Sequence, residues 1–182
     1  MKGIVFTKFL EMVEQRYSAD IVDDLIDALG ADADADGSYT AVGYYAHHQF
    51  LTLVETLATK TGQSKHACCV EFGDYLIADL AKLFPDFFNG HPDVFSFLTL
   101  IGQVIEDEAK KLYPETNHPE LSVIEQDGTR LVVNYALHRP LADMAEGKLL
   151  GSINHFVGGC DGAREDKGTD GRAAVFTITK AA

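Results

Sequence analysis

Residues 121–135, LSVIEQDGTRLVVNY, decide the fold class of this chain of 182 residues. Two runs within them, 121–125 and 130–135, are rich in the β-branched and other apolar residues that favour strands. Asp127-Gly128 lies between the runs, and this pair is typical of tight hairpins because the turn requires positive φ at its centre. The stretch therefore predicts an antiparallel β-hairpin.

The chain after the hairpin is predicted to contain one helix and one further strand. Pro140 suits the first turn of a helix, where its missing N–H is not needed, and the helix should reach Phe156. Residues 158–171 are polar and rich in glycine, which predicts a loop, and 173–178 form a last strand-like run. The result is a small antiparallel sheet with one helix inserted.

The chain before the hairpin is predicted to be helical, because its apolar residues recur at intervals of three and four. Gly30, Gly62 and Phe84-Pro85 indicate helix ends. The predicted helices cover approximately residues 4–13, 20–29, 42–59, 64–83 and 94–112. Helices followed by a separate sheet define the α+β class. We expect one domain over 1–182, with a helical lobe at about 1–60 and a sheet-bearing ligand lobe at about 61–182.

Composition limits the partners and the compartment. The formal net charge is −13, and such a chain repels phosphate backbones and anionic lipid surfaces, so nucleic acid and membranes are excluded as partners. No apolar run is long enough to span a bilayer. The three cysteines, Cys68, Cys69 and Cys160, are odd in number and two are adjacent, which favours a reduced, cytoplasmic protein.

Motifs for other functions are incomplete or missing. Residues 32–37 match the first half of an EF-hand loop, but Gly43 occupies the position of the bidentate glutamate. The chain contains no nucleophile elbow, phosphate-binding loop or His-Glu-x-x-His motif. We therefore predict that this protein is not an enzyme, with no catalytic residues and no metal-binding motif of its own.

Short segments in order along nearly the whole chain resemble the haem nitric oxide/oxygen-binding (H-NOX) family. They are MKGIVF at 1–6, GSYTAVGYY at 37–45, FGDYL at 72–76, LFP at 83–85, KLYP at 111–114, YALHR at 135–139 and AEG at 145–147. The resemblance implies a haem-based sensor domain for nitric oxide that acts in signal transduction. It also implies a signalling partner, since bacterial stand-alone members report to a histidine kinase or a cyclic-dinucleotide enzyme.

The family's haem-binding residues are only partly kept. The family ligates iron with a histidine in a pattern close to His-x-x-Val-x-x-Leu-Tyr-Pro, and this position is Glu106 here. Its Tyr-x-Ser-x-Arg motif for the haem propionates is present as Tyr135 and Arg139, with Leu137 in place of serine. Pro114, which presses on the macrocycle in the family, is retained.

A glutamate changes what the site is expected to bind. Carboxylate is a hard, weak-field ligand and a poor partner for ferrous haem, which is usually held by His, Cys, Met or Tyr. Gly102 precedes Glu106 by one helical turn, and this small residue would leave space for a flat ligand. Alternatively, Glu106 is a solvated helix residue. A substitute iron ligand would have to come from a histidine elsewhere: His47, His48, His66, His91, His118, His138 or His155.

Two hypotheses follow. The first is an H-NOX-like haem-binding signalling domain with altered or lost axial ligation. The second is a haem-free relative that uses the same pocket for another small molecule or acts only through a protein partner.

Overall fold

The computed structural model describes residues 1–30, 38–104, 119–156 and 159–181. The helices are α1 (Gly3–Arg16), α2 (Ala19–Leu29), α3 (His47–Thr61), α4 (Lys65–Leu83), α5 (Pro85–Asn89), α6 (Val94–Val104) and α7 (Ala142–His155). The strands are β1 (Glu120–Gln126), β2 (Arg130–Ala136), β3 (Cys160–Asp166) and β4 (Ala173–Lys180). This order confirms the predicted α+β class. The chain forms two compact units, Met1–Phe72 and Gly73–Ala182.

The first unit is built around a cluster of aromatic side chains. Phe9 contacts Phe50 and Phe72 edge-on, with ring centroids 5.2 and 5.1 Å away, and all three rings are fully buried. Tyr39 stacks on Phe6 at 4.4 Å, and its hydroxyl donates to Gln49 Oε1. Edge-to-face packing of this kind stabilises a core beyond the area that it buries.

The third helix begins later than predicted. The expected start was near residue 42, whereas α3 begins at His47. The intervening backbone pairs with the amino terminus instead, since Gly3 N donates to Gly43 O at 2.8 Å and Tyr45 N donates to Met1 O at 2.9 Å. A Cβ at Gly3 would collide with Thr40 O, so this close approach requires glycine.

The second unit contains a four-stranded antiparallel sheet in the order β1-β2-β4-β3. The predicted hairpin is confirmed, because Asp127 N donates to Arg130 O and the Asp127 carboxylate accepts from the backbone N–H of Thr129 and of Arg130. Alternate residues of β2 and β4 face the core: Leu131, Val133, Tyr135, Ala174, Phe176 and Ile178.

Two elements of this unit differ from the sequence prediction. The stretch predicted as a loop, 158–171, contains β3, which pairs with β4 from Cys160↔Lys180 to Asp166↔Ala174. The sequence did not predict β3 because this strand is an exposed edge strand and its residues show no apolar alternation. Phe84-Pro85 ends α4 as predicted, but Pro85 also occupies the first turn of the short helix α5. The predicted continuation of α6 to residue 112 lies outside the described residues.

The helices cross closely where α4 meets α7. A Cβ on Gly73 would lie 2.6 Å from Lys148 N, and one on Gly151 would lie 3.0 Å from Asp74 Cα. Glycine therefore allows the two backbones to approach in a way that no other residue permits. Cys68 and Cys69 are buried, as small apolar residues usually are, and none of the three cysteines forms a disulfide. None of the described helices is both long and apolar enough to cross a membrane.

Lys148 on α7 is partly buried. Its side chain keeps part of its surface accessible, yet burial lowers the pKa of the amine. Among the described residues, no carboxylate or hydrogen-bond acceptor contacts it. Because the folded-state pKa lies below the ordinary value of about 10.4, the protonated amine is disfavoured in the folded state. The protonated amine therefore lowers the free energy of unfolding. This destabilisation is fully present below the folded-state pKa and is lost as the pH rises from there toward the ordinary pKa of lysine.

Replacing Lys148 with methionine should therefore stabilise the protein. We expect Lys148→Met to raise the free energy of unfolding by about 1 kcal/mol at pH 7, with a smaller gain at pH 10. Urea unfolding at both pH values measures the effect. Lys82→Met is the matched control, since Lys82 is exposed in the last turn of α4. This substitution should change the free energy of unfolding by less than about 0.5 kcal/mol. If Lys148→Met raised the free energy of unfolding equally at both pH values, the lowered pKa of Lys148 would not be the cause of the gain.

Candidate functional site

Tyr135 lies near the end of β2 and is directed inward by the strand alternation. It is 5% exposed, stands opposite Ala174 of β4, and its ring centroid is 6.3 Å from that of Phe176. Burial raises the pKa of Tyr135 well above its ordinary value, so the phenol stays protonated. Its hydroxyl has no hydrogen-bond partner among the described residues. It is therefore a neutral donor that can bind an acceptor such as a carboxylate oxygen.

Arg139 follows β2 in the connection to α7. Its Nε is buried without a hydrogen-bond partner, and it is the one such side-chain nitrogen or oxygen in the described part of the chain. Buried polar groups are nearly always hydrogen-bonded, and an unpaired guanidinium nitrogen is costly. An anionic ligand at this position would supply the missing acceptor.

The other two predicted site residues with described positions are apolar and tightly packed. Leu137 packs against the core of the second unit, so it offers a ligand no hydroxyl. Gly102 is buried on α6, and a Cβ there would lie 2.7 Å from the carbonyl oxygen of Leu121 on β1. The close approach of α6 to β1 thus requires glycine at this position. That Gly102 also lies on a ligand-binding face stays a prediction.

An apolar cavity of about 300 Å³ lies between α4, α5 and α6. It is lined by Ile77, Leu80, Phe84, Phe87, Phe88, Phe97 and Ile101. Phe84 and Phe87 are exposed, which is unusual for side chains of this size when they have no partner. Sequence reasoning missed this cavity, because the periodicity of the apolar residues predicts a packed core equally well. The concentration of phenylalanine between Phe84 and Phe97 was the available signal.

The remaining predicted residues divide into two groups. Glu106, Pro114, His118 and the EF-hand-like residues 32–37 lie outside the described residues. The other histidines have structural or surface positions: His47, His48, His66 and His138 are exposed, while His91 Nδ1 lies 2.9 Å from Ser96 Oγ and His155 packs against Phe88. Of the predicted site residues, Tyr135 lies near the end of β2, and Leu137 and Arg139 follow it in the connection to α7.

The sequence and fold are similar to those of a known family. A profile described as Haem-NO-binding matches residues 2–159. The chain is similar to an unliganded Fe(II) H-NOX protein from K. algicida, with a TM-score of 0.88 and 26% identity over 100% of this chain and 97% of that chain. It is also similar to an H-NOX protein from S. oneidensis in the Fe(II)NO state, with a TM-score of 0.84 and 25% identity over 100% of both chains. No curated protein matches the sequence.

Proposed function

Because the chain belongs to the haem-NO-binding (H-NOX) family, we propose that it is a sensor domain that binds haem with an altered axial ligand, Glu106. Haem, when bound, supplies an iron centre that takes diatomic gases such as nitric oxide. The observation that carries the proposal is the buried Arg139 Nε, which has no partner where the family holds the carboxylates of its cofactor.

Two residues of this chain would hold those carboxylates. The Arg139 guanidinium is a planar, permanently charged donor that suits a carboxylate, and the protonated Tyr135 hydroxyl is a neutral donor on the same stretch of chain. The second unit also has an apolar cavity between α4, α5 and α6, which suits a hydrophobic ligand.

The iron ligand is where this chain would differ from its relatives. A glutamate oxygen favours ferric over ferrous iron, whereas the relative from S. oneidensis carries nitric oxide on Fe(II). We therefore propose that Glu106 weakens the ordinary ferrous gas response. Gly102 and Pro114 belong to the same proposed haem-binding set, the first on α6 and the second outside the described residues.

Haem titration of the purified protein tests the proposal. We expect a saturable Soret band at about one equivalent of haem, and a loss of affinity of about tenfold in Arg139→Ala, since a hydrogen bond to a charged group contributes about 1.5–3 kcal/mol. Arg130→Ala is the control, because Arg130 lies at the opposite end of β2 and pairs with Glu125 on the surface. A protein without a saturable Soret band would contradict haem binding.

A haem-free sensor is the second candidate. Leu137 favours it, since an apolar side chain packed into the core replaces one of the family's three polar contacts to the propionates. In that case the pocket would take a different small molecule, or the domain would act through a protein partner alone. The haem titration separates the two candidates directly.

The signalling role follows from the family and is also a proposal. We place the protein in the cytoplasm as a sensor without catalytic activity, reporting to a histidine kinase or a cyclic-dinucleotide enzyme. Co-purification with such an enzyme, and a change in its activity when the sensor is added, would test this role.

A further inference from the structure

The connection from β2 to α7 is held against the start of β4 by backbone hydrogen bonds. Leu137 N donates to Arg172 O at 2.8 Å, and Ala142 N donates to Gly171 O at 3.0 Å. Gly171 has a φ of 66°, and a Cβ there would lie 3.5 Å from Pro140 Cβ. Residues 138–141 therefore lie directly against residues 171–172. Arg139 belongs to the first of these two segments and Arg172 to the second.

The sheet register determines the face on which Arg172 emerges. The β2–β4 ladder pairs Tyr135 with Ala174 and Ala136 with Ala173, and the bond between Leu137 and Arg172 extends it by one step. Directly opposed residues project from the same face, and so do residues two apart on one strand. Arg172 thus leaves the sheet on the face that carries Tyr135 and Leu137.

The guanidinium groups of Arg139 and Arg172 are both close enough to His138 to affect its protonation. The pKa of His138 is lowered by burial and also by the guanidinium groups of Arg139 and Arg172. Two guanidinium groups thus lie near His138, whose lowered pKa favours the neutral ring, in a chain whose net charge is −13. A concentration of positive charge within an acidic protein creates a local site for an anion.

The guanidinium of Arg172 is only weakly engaged by protein. Its ion pair with Asp170 has an Nε–Oδ2 distance of 3.5 Å, and the two side chains are 55% and 57% exposed. An exposed pair with this geometry contributes little to stability. Arg172 can therefore exchange Asp170 for a ligand carboxylate at small cost.

We propose that Arg172 is a second anchor for a ligand with two carboxylates, so that Arg139 binds one carboxylate and Arg172 binds the other. This inference rests on the proposed function and deepens it, because it assigns the ligand class as a dicarboxylate such as a porphyrin diacid. Arg172 compensates for Leu137, because the guanidinium of the residue opposite Leu137, just before β4, replaces the hydroxyl that the family has at the position of Leu137.

Iron-free protoporphyrin tests this assignment without any contribution from Glu106 as an iron ligand. Its fluorescence is followed in titrations with the wild-type protein, Arg172→Ala and the control Arg130→Ala, and repeated with the porphyrin dimethyl ester. We expect Arg172→Ala to bind the diacid about tenfold more weakly, Arg130→Ala to bind it like the wild type, and the ester to bind all three proteins equally. Arg172→Lys, which keeps the charge, should lose less than Arg172→Ala.

Three outcomes would overturn the assignment. If Arg172→Ala binds the diacid as tightly as the wild type while Arg139→Ala is weakened, Arg172 is a surface residue and the proposed function still stands. If Arg172→Ala loses the ester as strongly as the diacid, its effect is structural. If the wild-type protein binds neither porphyrin nor haem, the proposed function fails together with this inference.

Discussion

Replacing Glu106 with histidine is expected to give a haem-loaded protein whose ferrous Soret band shifts when nitric oxide is added. An imidazole nitrogen is a far better ligand than a carboxylate for ferrous iron, and the ligand position is set by the Leu-Tyr-Pro sequence at 112–114. The wild type should show a ferric-biased spectrum with a weak ferrous response. We expect haem affinity under reducing conditions to rise by about tenfold or more, equivalent to about 1.4 kcal/mol.

The control variant for this experiment is Glu106→Gln, which removes the negative charge but supplies no imidazole. Ferrous spectra of the three proteins with and without nitric oxide give the comparison. If Glu106→Gln responds as strongly as Glu106→His, the charge and not the ligand type limits the wild type. A Glu106→His protein with the spectrum of the wild type would show that the pocket has changed beyond this one residue, in favour of the haem-free alternative.

Local patterns predicted much of the fold. The hairpin at Asp127-Gly128 and the alternation in β2 were predicted correctly because each depends on neighbouring residues alone. The expected positive φ is not found at Gly128, and the turn is held instead by the Asp127 carboxylate, which accepts from the backbone N–H of Thr129 and of Arg130. The start of α3 was wrong because residues 43–45 pair with the first residues of the chain, which is a contact between distant segments. The strand β3 was missed for the same reason: its pairing with β4 leaves no trace in its own polar sequence.

The site was predictable where a motif carried it. Tyr135 and Arg139 were predicted as ligand-binding residues from the family's Tyr-x-Ser-x-Arg motif, and that role stays a prediction. The structure adds the buried, unpaired Nε that gives Arg139 a physical reason to bind an anion. Arg172 was not predicted, since its place beside the motif depends on the register between β2 and β4. The apolar cavity depends in the same way on how α4, α5 and α6 pack, which periodicity does not specify.

The second large effect is expected from Gly73→Ala on α4. A Cβ at this position would lie 2.6 Å from Lys148 N and closer still to Met144 O, both of which are backbone atoms of α7. Backbone atoms within a helix cannot move aside singly, so α7 as a whole must shift. We expect a loss of about 3 kcal/mol in the free energy of unfolding, at the upper end of the usual cost of overpacking, and a fall in melting temperature of roughly 6–12 °C.

Gly90→Ala is the matched control for this substitution. Gly90 has φ −69° and ψ −6°, a conformation that alanine adopts freely, and the nearest atom to an added Cβ is Asp86 O at 3.4 Å. We expect it to change stability by less than about 1 kcal/mol, since alanine also reduces the entropy of the unfolded chain. Urea unfolding of both variants makes the comparison, and equal effects would mean that α4 and α7 can separate at little cost. Because Arg139 lies just before α7, a shift of α7 should also weaken haem binding in Gly73→Ala but leave it unchanged in Gly90→Ala.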